Sequence, residues 1–219
     1  MVKRNRSIPS LKRKAATVLP KKKFVLFCEG GNTEPRYFAA LNEQFTGTLV
    51  DIQPIGAVGE PGKIACVARA YAKKVGLGKR RRATLNSFEA MDEVWAVFDR
   101  DEHPRFDEAI DTCSGSSVRV ARSNPCFEVW LILHFVAYNR PDGRHEVQKH
   151  LEILHSAYKS GGSKSVNCSL LIASLSDAEA RSARQLQRRE EEGQAFSAPS
   201  TTVHELVASI RRAAKRTRV

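Results

Sequence analysis

Apolar positions along this chain fall into two patterns: short solid runs, and longer stretches in which they recur every third or fourth residue. Residues 24–28 (Phe-Val-Leu-Phe-Cys) form a solid run of strand length ended by Gly30-Gly31, as expected of a parallel strand covered on both faces. Residues 94–98 (Val-Trp-Ala-Val-Phe) repeat that run and lead into Asp99-Arg100-Asp101. Residues 49–55 alternate enough for another strand, which Pro54 assigns to an edge or an early end, and 118–121 read as a fourth. Between the runs, Thr33 precedes Glu34, Pro35 and an apolar set Tyr37, Phe38, Leu41, which reads as an N-cap, an early proline and helical spacing. Pro61-Gly62 opens a second helix on Ile64, Val67, Ala68, Tyr71 and Val75, and 106–111 form a short third one.

After Ser123 the pattern is helical throughout. Asn124-Pro125 reads as N-cap and first-turn proline before Phe127, Trp130, Leu131, His134 and Phe135. Gly161-Gly162-Ser163 reads as a linker, 187–192 as a charge-dense polar stretch, and Thr202-x-x-Glu205 as a capping box for a last helix with Val203, Leu206, Val207 and Ile210 on one face. The β-α-β-α-β-α-β order predicts an α/β core over 23–140, a parallel sheet of about four strands flanked by helices on both faces, followed by an α-helical C-terminal region over 141–219. Ligands of such sheets gather at the carboxyl ends of the strands.

Charge changes the picture at one end. The net charge is +12, and residues 1–23 supply nine cations and no anion, so the body is close to neutral and residues 1–22 read as a flexible basic arm. No apolar run approaches the roughly 18 residues that span a bilayer, and Lys12, Arg13 and Lys14 interrupt any signal-peptide window, so a membrane span and export are not expected. The five cysteines are odd in number with no C-x-x-C pair, which points to buried thiols in a reducing, cytoplasmic setting and away from zinc.

Glu29 directly follows the first strand, and Asp99 and Asp101 follow the third. If those strands are neighbours, the three carboxylates converge. Like charges about 4 Å apart repel by about 4 kcal/mol at an effective dielectric near 20, so such a cluster requires raised pKa values or a cation. Oxygen-only donors favour Mg²⁺ or Mn²⁺ over zinc. Residues two apart on an extended segment point the same way, so Asp99 and Asp101 are expected to chelate together.

A Glu after the first strand and a later apolar strand ending in Asp-x-Asp resemble the Toprim fold of topoisomerases, bacterial primases and overcoming-lysogenization-defect (OLD) nucleases. More narrowly, Phe24-Val-Leu-Phe-Cys-Glu29-Gly-Gly-Asn-Thr33-Glu34-Pro-Arg36-Tyr37-Phe38, Val97-Phe-Asp99-Arg-Asp101, Ser123-Asn124-Pro125-Cys-Phe127-Glu128-Val-Trp130-Leu-Ile-Leu-His134-Phe135 and Pro199-Ser-Thr-Thr-Val203 are similar to the RloB family of bacterial defence-associated proteins. The resemblance spans residues 24–210 and implies a Toprim-like catalytic core in which Glu29, Asp99 and Asp101 hold Mg²⁺ or Mn²⁺, with Glu29 also a candidate proton acceptor. Glu34 and Glu128 become candidates for a second metal or for orienting the first set. It also implies a metal-dependent nuclease in anti-phage defence working beside a AAA-type or ABC-type ATPase.

A DNA or RNA substrate would be attracted by Arg36, Lys63, Arg100, Arg122 and the run Lys79, Arg80, Arg81, Arg82. His145, His150 and His155 recur every five residues, which spreads them by about 140° per step around a helix and makes a poor metal site. His134, Trp130 and Phe135 are expected in the core. Gly30-Gly31 is no phosphate loop, because neither Gly-Lys-Ser/Thr nor G-x-G-x-x-G follows. Two competitors remain: a non-catalytic nucleic-acid-binding module with a vestigial acidic site, and a phosphatase of the haloacid-dehalogenase kind. Glu102-His103-Pro104 after the Asp-x-Asp departs from the latter's pattern.

Overall fold

The computed structural model describes residues 21–77, 92–101, 103–162 and 166–215. The basic arm up to residue 20 and the run Lys79, Arg80, Arg81, Arg82 lie outside the described residues. The elements are β1 (Lys22–Cys28), α1 (Thr33–Gln44), β2 (Val50–Ile55), α2 (Pro61–Lys74), β3 (Glu93–Asp99), α3 (Phe106–Ser114), β4 (Val118–Asn124), α4 (Glu128–Leu133), α5 (Arg144–Leu154), α6 (Cys168–Ala173), α7 (Leu175–Glu191), β5 (Ser200–Thr201) and α8 (Val203–Lys215). They build one sheet in the order β2-β1-β3-β4-β5, with the first four strands parallel and β5 antiparallel to β4.

Both faces of the sheet are covered, which is why its strands are solidly apolar. Alternate residues of β1 serve the two sides. Phe24, Leu26 and Cys28 join Trp95 and Val97 in a core with α1, α4 and α8, while Val25 and Phe27 join Val94, Ala96 and Phe98 in a second core with α2 and α3. β2 lies at an edge, where Pro54 and its missing N–H are tolerated. β1 starts at Lys22, two residues before its apolar run, because its backbone pairs there with Val50 of β2, and the Lys22 ammonium also pairs with Glu93 at 2.6 Å.

Three expectations are corrected. β4 runs on to Asn124 because Ser123 and Asn124 pair with Thr201 and Ser200; Asn124 therefore ends a strand and caps no helix, and its Nδ2 donates to the Phe196 carbonyl at 2.8 Å. Phe127 is the N-cap of α4. The capping box at Thr202 is not made: its hydroxyl accepts the Arg122 N–H at 3.0 Å, and its carbonyl, not its side chain, accepts the Glu205 N–H. Nor are all the thiols buried. Cys28, Cys113 and Cys126 are, whereas Cys66 is exposed and Cys168 half-buried, and all five are free.

The region after residue 140 is helical, as expected, except for β5, but it does not fold apart from the sheet. Val203, Leu206, Val207 and Ile210 share one hydrophobic cluster with Phe24, Tyr37 and Trp130. No helix among the described residues is long and apolar enough to cross a membrane.

Candidate functional site

The parallel register of β1 and β3 sets Cys28 beside Val97, so each chain leaves the sheet at the same level. The Glu29 N–H donates to the Val97 carbonyl at 3.1 Å, and the Glu29 side chain returns the contact by accepting the Asp99 N–H at Oε2, also at 3.1 Å. The Gly30-Gly31 turn then leads into α1, whose Glu34 accepts the Gly30 N–H at 3.1 Å. A Cβ on Gly30 would stand 2.5 Å from Glu34 Oε2, so the missing side chain is what lets Glu34 lie against the turn. Glu128, the first residue of α4, is held at Oε1 by the Tyr158 hydroxyl at 2.5 Å and the Gln148 amide at 3.3 Å.

Glu29, Glu34, Asp99 and Glu128 thus line one cavity of about 270 Å³, and Arg144, at the start of α5, is the cation on its described wall. Asp99 is only 4% exposed. Burial pushes its carboxyl well above the usual range, the charges of Glu34, Glu128 and Glu29 add to that, and Arg144 opposes it. Burial also raises Glu34; its own N–H and that of Gly30 work against the rise, and the charges of Glu128 and Glu29 add to it. One arginine therefore leaves the cluster short of positive charge.

Asp101 departs from expectation. The strand ends at Asp99, the Arg100 N–H donates to the Ser123 carbonyl at 2.7 Å, and Asp101 turns into the left-handed region at φ 34°. The same-side rule for an extended segment no longer applies there. The Asp101 carboxylate pairs with Arg144 at 2.5 Å and does not line the cavity, while the charge of Asp99 also acts on that guanidinium.

Among the described residues, no three His, Cys, Asp or Glu side chains are already drawn together as a metal cage. The donor set nevertheless fits a hard divalent cation: it is all oxygen, desolvated and mutually repelling, and such an ion would offset that repulsion. Glu29, Asp99, Glu34 and Glu128 are the residues able to hold it.

The described cationic candidates, Arg36, Lys63, Arg100 and Arg122, do not line this cavity. Lys63 lines a neighbouring one. Arg36 is exposed on α1. Arg100 and Arg122 flank Phe196, with the Arg122 guanidinium 4.0 Å from the ring and Arg100 donating to the Phe196 carbonyl. The histidine series is dispersed as expected: His150 stacks on Tyr138, and His155 stacks on Phe135 while accepting the Asn167 N–H. His134 is a satisfied core histidine, bonded to the Leu171 carbonyl at 2.6 Å and to the Tyr37 hydroxyl at 3.2 Å. Trp130 is fully buried, and Phe135 packs half-buried against the same core.

Sequence reasoning missed Arg144, Tyr158, Gln148 and His103, whose Nε2 lies 3.3 Å from Glu29 Oε1. Only His103 carried a signal, its place two residues after the Asp-x-Asp.

A mostly parallel α/β sheet with acids collected at its carboxyl ends defines the general class of this molecule. Within it, the family model for RloB-like proteins matches residues 24–210, and the chain belongs to that family. No curated protein and no solved structure matches it.

Proposed function

We propose that this RloB-like protein is a cytoplasmic, Mg²⁺- or Mn²⁺-dependent nuclease of the Toprim type, hydrolysing phosphodiester bonds of DNA or RNA in bacterial anti-phage defence. One observation carries the reading: four carboxylates, from the ends of β1 and β3 and the starts of α1 and α4, line a single cavity whose described wall holds one arginine. Buried acids without enough counter-charge cost stability, and a fold retains them where a cation or chemistry uses them.

When bound, a divalent ion would polarise the scissile phosphate and stabilise the leaving oxygen. The chain's own residues account for the rest. Asp99 and Glu34 are fixed by burial, and Glu128 by Tyr158 and Gln148. Glu29 is positioned by the Asp99 N–H and by His103, and serves as proton acceptor for an attacking water. Arg144 supplies a guanidinium for a phosphate oxygen, and Asp101 keeps it in place. By the same family resemblance, an ATPase of AAA or ABC type restrains the nuclease until infection, and co-purification from the native host tests that.

The experiment compares wild type, Glu29→Gln and Asp99→Asn on single-stranded DNA, duplex DNA and tRNA with Mg²⁺ or Mn²⁺. Cleavage by wild type alone is the expected result. Cleavage that survives both substitutions overturns the assignment. Binding without cleavage by any of the three proteins favours a binding module with a vestigial site.

A further inference from the structure

Beside the acidic cavity lies a second and larger one, of about 440 Å³, between the first turns of α2 and α3. Its walls include Lys63, Arg105, Glu60, Glu108, His103 and Cys66. Lys63 and Arg105 are exposed, and neither makes an ion pair among the described residues. His103 links the two cavities: it lines this one, and its Nε2 contacts Glu29, which lines the other. Neither α2 nor α3 carries a side-chain N-cap bond, so no side chain of either cap competes for the first-turn N–H groups.

We propose that this cavity is the subsite for one nucleotide of the substrate strand, the one adjoining the bond presented to the acidic cluster; the assignment rests on the nuclease reading. The volume falls within the roughly 300–1,000 Å³ typical of small-ligand pockets. The lining is mixed in charge, which suits a nucleotide better than a bare anion. Lys63 and Arg105 bind its phosphate, and Glu60 and Glu108 accept hydrogen bonds from sugar hydroxyl or base amino groups. Pro61, Pro104 and Ala109 supply apolar wall for the base. His103 sets the step from this nucleotide to the neighbouring phosphate, because it is the side chain that joins the two cavities.

Cys66 provides a reporter that is independent of catalysis. It is the exposed cysteine of the five and faces this cavity, so in a Cys168→Ser background its reaction with a small maleimide reads occupancy. The full-length protein is assayed in EDTA with single-stranded DNA and RNA oligonucleotides, binding being followed separately by fluorescence anisotropy. Saturating oligonucleotide is expected to slow Cys66 labelling at least about fivefold. Lys63→Ala with Arg105→Ala should abolish that protection, weaken binding about tenfold, and make binding less dependent on salt. Oligonucleotide that binds by anisotropy yet leaves Cys66 labelling unchanged overturns the subsite and spares the nuclease reading. Absence of binding to either nucleic acid removes both. Both substituted side chains are exposed, so loss of the fold is not the expected cause of any change.

Discussion

The two ends of β3 carry acids with opposite fates. At its start, Glu93 is bonded to the Lys22 ammonium at 2.6 Å, the Trp95 indole at 2.9 Å, the Arg119 guanidinium at 3.1 Å and the Ser209 hydroxyl at 3.0 Å. Burial alone would raise its pKa, but Lys22, Trp95 and Ser209 more than reverse that and hold it below the ordinary carboxylate range. At the other end Asp99 is buried among three further carboxylates and pushed up. One strand thus carries an acid completed by its neighbours and an acid left for something else to complete. Charge compensation, rather than burial, separates the paired carboxylate from the one proposed to act.

The largest effect that could break this contrast is on turnover: Asp99→Asn should lower cleavage by about 100-fold or more, while Lys22→Ala, at the far end of the sheet, leaves it near wild type. Next comes stability. Glu93→Ala leaves Lys22 and the Trp95 N–H without their partner and should cost about 2–3 kcal/mol in a denaturant titration at neutral pH. Asp99→Asn should instead stabilise the metal-free protein by about 0.5–2 kcal/mol, since it removes a charge that the fold does not balance.

Acid sharpens the comparison. Glu93, with its folded pKa lowered, contributes stability that is present above about pH 4.3 and lost as pH falls through the folded value. Asp99, with its folded pKa raised, imposes no penalty below about pH 4, and the penalty grows as pH rises towards the folded value. The gain from Asp99→Asn should therefore vanish in acid, and thermal melts across pH 3–8 would show it, the range being about that of carboxylate titration. Mn²⁺ at about 100 times its dissociation constant should stabilise wild type by about 2.7 kcal/mol and Asp99→Asn far less. The smallest effect belongs to Arg119→Ala: its half-exposed guanidinium is already screened by water, so the loss should fall below that of Lys22→Ala.

Much of this was legible from local pattern. Two solid apolar runs located β1 and β3, and their shared level followed once the sheet was taken as parallel, which brought Glu29 and Asp99 together. What escaped were features fixed by distant segments. β5 is two residues long and has no period of its own; only pairing with Ser123 and Asn124 makes it a strand. Asn124 read as a cap because Asn-Pro before an apolar stripe is a helix signal, and tertiary pairing prevailed over it. Asp101 was misplaced in direction because the backbone turns left-handed two residues beyond the strand, and hydrophobic pattern does not encode that. Arg144 reaches the cavity, and Tyr158 and Gln148 reach Glu128 behind it, from a helical region whose docking no spacing announces.

β5 has a consequence for the order in which the protein is made. The segment that closes the β4 edge lies at residues 200 and 201, so α4, α5, α6 and α7 must all be synthesised after β4 before that border can be sealed. Until then the nascent chain presents a bare edge of parallel sheet, the kind of surface on which unfinished chains stick together. A ribosome stalled between α7 and β5 would release a polypeptide with its acidic residues in place and its flank open.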